Sequence, residues 1–286
     1  MDRRAVLRSR QADVLRASDR ESKLDFSALS GADRVLATLK AVGWYPWGVT
    51  LDELQRRVGL PKSSLHRILA TLRRAAFVEQ DSTGRFRLGL ELIRIAHAYD
   101  ESRDDGQLMR PLLHDLAERF GETAHVARLD GSEIVYLAKV SPARRGTQMT
   151  STIGGRNPAH CTGVGKVLLA YTLVDDSQVD KFVTTYSPLV RRTPHSLTSA
   201  TQLKREMRRI RAQGYSTDAQ ESELGINCIA FALFLDSRST PAAAVSIAAL
   251  APRTPLPKLV QAAGEIRRMI GKRLGDVLPA RVPGLR

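Results

Sequence analysis

Thr50 to Leu88 reads TLDELQRRVGLPKSSLHRILATLRRAAFVEQDSTGRFRL, and its periodicity decides the fold of the first part of the chain. Leu54 and Val58 lie one helical turn apart, while Leu65, Ile68, Leu69 and Leu72 recur at the spacing of a single helix face. Two helices, each burying one side, follow. Thr50 with Glu53 three residues on makes a capping box. Gly59 ends the first helix and Pro61 opens the second. Phe77 to Gln80 and Arg85 to Leu88 are short β-prone runs around Asp81-Ser82-Thr83-Gly84, which predicts a two-stranded ribbon, the wing.

The solvent side of the second helix then carries Lys62, Ser63, Ser64, His66, Arg67, Thr71 and Arg74, donors and cations without a carboxylate. A helix of that makeup after a tight turn fits a major groove: its first residues reach base edges and its cations meet phosphates. Lys62, Ser63, Ser64, His66 and Arg67 are the candidates for base readout and nearby phosphates, with Thr71 on the same side. Arg73, Arg74, Arg85 and Arg87 are candidates for positioning on the DNA backbone. Arg56 to Arg87 holds eight Lys or Arg against Glu79 and Asp81, a local balance of +6. The alternative is a solvated helical hairpin without a partner, against which caps, turn, wing and sign asymmetry all agree.

The whole chain has 286 residues, 43% hydrophobic and 26% charged, which predicts two well-cored domains. Its formal net charge of +14 suggests a polyanionic partner. Nucleic acid fits better than membrane, because no apolar run of spanning length and no signal-peptide pattern is present. Cys161 and Cys228 lie far apart without zinc spacing, so a reduced, cytoplasmic protein with no metal or cofactor is expected.

Residues 1–29 are rich in charge and lack an apolar stripe, which predicts a mobile basic arm that touches DNA or does nothing. Ala32 to Val42 supplies a third helix with Val35, Leu36, Leu39 and Val42 on one face, followed by Trp44-Tyr45-Pro46-Trp47 as plug or partner surface. The winged helix-turn-helix thus covers 30–88. A linker helix follows in 89–105, with Leu90 to Tyr99 apolar on more than one face, and it needs a second copy of the chain or the next domain to cover it. In 106–286, a helix over Leu108 to Phe120 precedes strands Thr123 to Leu129 and Glu133 to Val140 around Asp130-Gly131. A strand over Gln148 to Ile153, helices over His160 to Thr172 and Leu203 to Gln213, strands over Ile229 to Leu235 and Ala242 to Leu250, and a last helix from Thr254-Pro255 complete an α+β domain around an antiparallel sheet.

At the segment HCTGVGKVLLA, His160 to Ala170, the chain resembles the IclR-type bacterial transcription regulators. The likeness runs from about Gly31 to Leu274 through Arg192-Thr193-Pro194 with Leu197-Thr198, Gly214-Tyr215 with Asp218 and Glu221, and ELGINCIA at Glu223 to Ala230. The resemblance implies a winged helix-turn-helix, a linker helix and a GAF-like effector-binding domain. It also implies dimers or tetramers on palindromic operators, acting as repressor or activator, and effectors that are small organic acids. Carried over by position, the effector site uses the backbone at Gly163 and Val164, the side chains of Asp218 and Cys228, and Ser246. Some keto-acid binders of the family have a second serine two residues beyond the first, where this chain has Ala248.

The residues carry an independent reading. Gly163 and Gly165 strip side chains from a helix start whose free N–H groups suit a carboxylate, or else they only permit close packing. The segment is not a phosphate-binding loop, since Lys166 is followed by Val167. His160 and Cys161 point about 100° apart on a helix, so they are not a working dyad. Asp218 and Glu221 are either a pocket wall or a solvated loop, and a carboxylate facing an anion needs a water, a ligand hydroxyl or a proton. The expected function is a two-state DNA-binding regulator, with the effector shifting paired recognition helices through the linker. The rivals are a GAF-like thiol-dependent enzyme with an appended DNA-binding domain, whose sign would be a low-pKa cysteine, and a ligand-independent architectural DNA binder.

Overall fold

The computed structural model describes residues 30–101, 105–142 and 150–279, so the expected arm at 1–29 lies outside the described residues. The described parts fall into two compact units that divide between residues 103 and 104.

In the first unit, Gly31–Gly43 (α1), Leu51–Val58 (α2) and Lys62–Arg74 (α3) close on Val78–Gln80 (β1) and Phe86–Leu88 (β2), and Glu91–Glu101 (α4) follows. The capping box at Thr50 and Glu53 is present, and Gly59 ends α2 at φ 71, a conformation glycine reaches without a side-chain clash. Pro61 sits one position earlier than expected, as N-cap of α3 rather than its first helical residue. Leu54, Val58, Leu65, Leu69 and Leu72 form the core with Val78 and Phe86. The stripe of α1 is rotated from the expected one. Ala37, Thr38, Ala41 and Val42 are buried and Leu36 faces out, because small side chains let α1 lie close to α3. Trp44 packs on this core and lies under the Arg57 guanidinium, 5.0 Å from its carbon.

In the second unit, Asp105–Phe120 (α5) leads into Thr123–Asp130 (β3), Glu133–Val140 (β4) and Arg156–Pro158 (β5). Gly163–Thr172 (α6), Asp176–Tyr186 (α7), Ala200–Gln213 (α8), Ser216–Ala219 (β6), Ile226–Leu233 (β7), Ala243–Leu250 (β8), Leu256–Gln261 (α9) and Ala263–Leu274 (α10) follow. The strands form one antiparallel sheet in the order β5-β4-β3-β8-β7-β6. Alternation builds two cores. Ile229, Phe231, Val245 and Ile247 pack with α5 and α10 on one face, while Ala230, Ala232 and Ala244 meet α6 and α8 on the other.

Three expectations change here. Thr150 to Ile153 is not strand: Gly154 at φ 77 and the Gly155 N–H to Thr152 oxygen bond close a turn, and pairing with Glu133–Val135 starts only at Arg156. The helix expected from His160 breaks at extended Thr162, leaving a 3-10 turn at Ala159–Cys161 before α6. The last helix is two, α9 and α10, joined at Ala262.

Candidate functional site

Along α3, Lys62, Ser63, His66, Arg67, Thr71, Arg73 and Arg74 are exposed and Ser64 is half-buried, so the acid-free side of the helix lies outward. The core leucines fix which side that is. Several cations are held within the unit. Lys62 pairs with Asp52 at 2.7 Å, Arg85 reaches Glu53 at 3.1 Å and the Gly48 carbonyl, and Arg87 pairs with Asp81 at 2.9 Å. Arg73 donates to Gln80 across to the wing, and Arg74 to Thr71. The +6 balance counted from Arg56 stops short of Asp52 and Glu53, which neutralise two of its members. On the wing, Asp81 accepts from the Thr83 and Arg85 N–H groups, tightening the turn that carries Arg85 and Arg87.

In the second unit a cavity of about 50 Å³ opens between the N-terminus of α6 and the sheet, with room for roughly four water-sized positions. Gly163, Val164, Asp218, Cys228 and Ser246 all line it. The strands place them by parity: Cys228, Ser246 and Ala248 share the α6 side of β7 and β8, where short side chains leave the space. The two glycines do different things. A Cβ on Gly165 would meet the Ala159 carbonyl oxygen at 2.3 Å, and its N–H already donates to Thr162 Oγ1. Gly165 is therefore there for packing. A Cβ on Gly163 would meet Cys228 Sγ at 2.9 Å, so its absence lets the helix start approach the sheet, and Gly163 and Val164, the first residues of α6, line the cavity.

The sequence reading did not single out His125, Tyr136, Asn157, Thr150, Ser151 or Glu223, which also line the cavity. The one signal for them was a histidine between the inward apolar residues Ala124 and Val126. His125 Nε2 lies 2.8 Å from Ser151 Oγ, Lys139 Nζ donates to the Ser151 carbonyl, and Thr150 donates to Glu223 at 2.6 Å, so residues 150–151 are held across the rim from three sides. Burial, then the Lys139 charge, push His125 down to about 3, which keeps its ring neutral.

Beneath the cavity Lys166 is 1% exposed, with Nζ 2.5 Å from Glu221 Oε1 and 3.0 Å from Glu206 Oε1. Burial acts against its charge, but the two glutamates outweigh it and hold Lys166 protonated. Asp218 Oδ1 accepts from the Glu221 N–H at 2.6 Å; both residues are buried and not a solvated loop, but Asp218 lines the cavity and Glu221 does not. Burial pushes Asp218 up to about 7, with Lys166 opposing.

Both cysteines are buried thiols whose pKa values burial raises, Cys161 to about 12, and His160 turns away to the Val190 carbonyl. Neither thiol has the depressed pKa a nucleophile needs. Among the described residues no group of side chains is placed to hold a metal ion, and no helix is long and apolar enough to cross a membrane.

Residues 31–82 match the family model described as the IclR helix-turn-helix domain, and residues 97–270 match that of the bacterial transcriptional regulator IclR C-terminal. The HTH-type transcriptional repressor AllR of Salmonella typhi is 32% identical over 273 residues, covering 94% of this chain and 98% of its own. The crystal structure of the Thermotoga maritima IclR superposes with a TM-score of 0.67 at 26% identity, over 85% of this chain and 98% of that one. An IclR homolog from Microbacterium hydrocarbonoxydans, complexed with 4-hydroxybenzoate, shares the fold with a TM-score of 0.65 at 23% identity, over 83% and 99%. The two family matches account for both units, and the chain belongs to the IclR family of bacterial transcriptional regulators, DNA-binding proteins and not enzymes, with a C-terminal effector domain.

Proposed function

We propose that this regulator binds a palindromic operator as a dimer or tetramer in the cytoplasm, and that a small organic acid in the cavity at α6 controls its affinity. The layout is a DNA-binding domain at 30–88, a linker at 89–105 and an effector domain at 106–286. Lys62, Ser63, Ser64, His66, Arg67 and Thr71 face the groove, with Arg73, Arg74, Arg85 and Arg87 on the backbone. The observation that carries the reading is the presence, in one chain, of an outward acid-free helix face and a cavity with polar residues at a helix N-terminus.

In the cavity, the Gly163 and Val164 N–H groups receive a carboxylate, and Ser246, Cys228 and Asp218 contact the rest of the molecule. The acid bound to the Microbacterium homolog is of this class, and Ala248, where some keto-acid binders have a second serine, removes one hydroxyl that would hold such a keto acid.

Anisotropy on duplexes from the promoter of the chain's own gene, with and without a panel of organic acids, tests the reading. One acid is expected to shift operator affinity about 5- to 150-fold. Equal affinity for operator and random DNA, unmoved by every acid, would overturn it.

A further inference from the structure

Resting on the organic-acid reading of the cavity, we propose that the site takes its acid as an anion together with one proton held by Asp218, so that effector affinity weakens as pH rises. Asp218 is 4% exposed and lines a cavity of about 50 Å³ with the Gly163 and Val164 amides. An ionised Asp218 and a ligand carboxylate there would be like charges a few ångströms apart in a poorly solvated space.

The cations around the cavity stand outside its lining, and Lys166 is the one that acts most on Asp218. Among the described residues the cavity lining contains no lysine or arginine. On α6, Lys166 is committed to Glu221 and Glu206, and Glu206 on α8 is further held by Arg209. Arg192, on the loop before α8, gives its Nε to the Ser222 carbonyl at 3.3 Å, while Glu223 at the rim adds a negative charge. From the sheet, Lys139 on β4 brings one positive charge to the rim at the Ser151 carbonyl, while burial keeps His125 unprotonated and, with the 3-10 turn, Tyr136, Cys228 and Cys161 protonated.

The dipole of α6 adds about half an elementary charge at its N-terminus, which favours one anion there and does not offset two. Asp218 Oδ1 is occupied by the Glu221 and Ser222 N–H groups at 2.6 and 3.4 Å, which leaves Oδ2 to carry the proton and donate it to the ligand. Burial already pushes the Asp218 carboxyl up to about 7 against the opposing Lys166, and an arriving anion raises it further.

Titration calorimetry on the full chain with glyoxylate, pyruvate, glycolate and 4-hydroxybenzoate, in buffers of different ionisation enthalpy from about pH 6 to about pH 8.5, reads the linked proton. Uptake of nearly one proton per ligand is expected at the alkaline end, with affinity falling about tenfold per pH unit above neutrality. D218N keeps the oxygen that accepts the two amides, so it is expected to fold and to bind with no pH slope. A wild-type affinity independent of pH, without proton uptake, would overturn the proposal and leave the organic-acid reading standing. A wild-type slope surviving in D218N would overturn the assignment to Asp218 and point to Glu221. No binding by any of the four acids at any pH would overturn both.

Discussion

Arg67 lies exposed near the start of α3, where a side chain on a recognition helix reaches base edges. R67A is expected to cost about 1–3 kcal/mol on the cognate operator and far less on random duplex. Equal losses in competition binding would make it a phosphate contact. Gly165 has no such latitude, because any side chain there drives into the Ala159 carbonyl. G165A is expected to lose about 1–3 kcal/mol in urea unfolding, the usual cost of overpacking. His125 gives a pH signature. Its folded pKa of about 3 lies below the ordinary 6.5, so the unfolded state binds more protons between those values. Its stabilising contribution is present above about 6.5 and is lost as pH falls toward 3, and H125Q should flatten that limb of the stability curve. The residues on β6, β7 and β8 became legible only through the resemblance, since Asp218 and Ser246 carry no local signal of facing a cavity. His125 and Tyr136 were missed because a polar residue in a hairpin strand reads equally well as solvent-facing.

At the level of elements, α2, α3 and the wing could be read from caps and periodicity, each of which depends on neighbours in sequence. E53Q tests one such device, since Glu53 closes the capping box with Thr50 and also holds Arg85. Its loss is expected to cost about 1 kcal/mol, within the range for helix caps, measurable as a lowered melting temperature. Elements whose cause is tertiary were not read. The polar helix α7 buries only Val179 and Phe182, and β6 is four residues long, held by pairing with β7 from Asp218 to Cys228 and beyond. The proposed linker keeps the apolar surface its sequence announced, with Leu90 just before α4 72% exposed and Ile93 within it 66% exposed. I93E is expected to shift the chain toward monomer in sedimentation and to weaken operator binding with it. An unchanged assembly would remove α4 from the interface.

For the whole molecule, two-domain organisation and α+β class were legible from composition and element order, whereas the strand order β5-β4-β3-β8-β7-β6 was not. That order places β3 beside β8, across most of the second unit's sequence, and only burial on both sheet faces selects it. The net charge of +14 pointed to a polyanion without saying how many cations would meet it. On the proposed DNA face, Lys62, Arg85 and Arg87 already have Asp52, Glu53 and Asp81 at their side. A cation that keeps its carboxylate expels no net sodium from the phosphate atmosphere. The logarithmic dependence of operator affinity on salt should therefore have a slope nearer −4 or −5 than the roughly −7 that eight unattached basic residues would give.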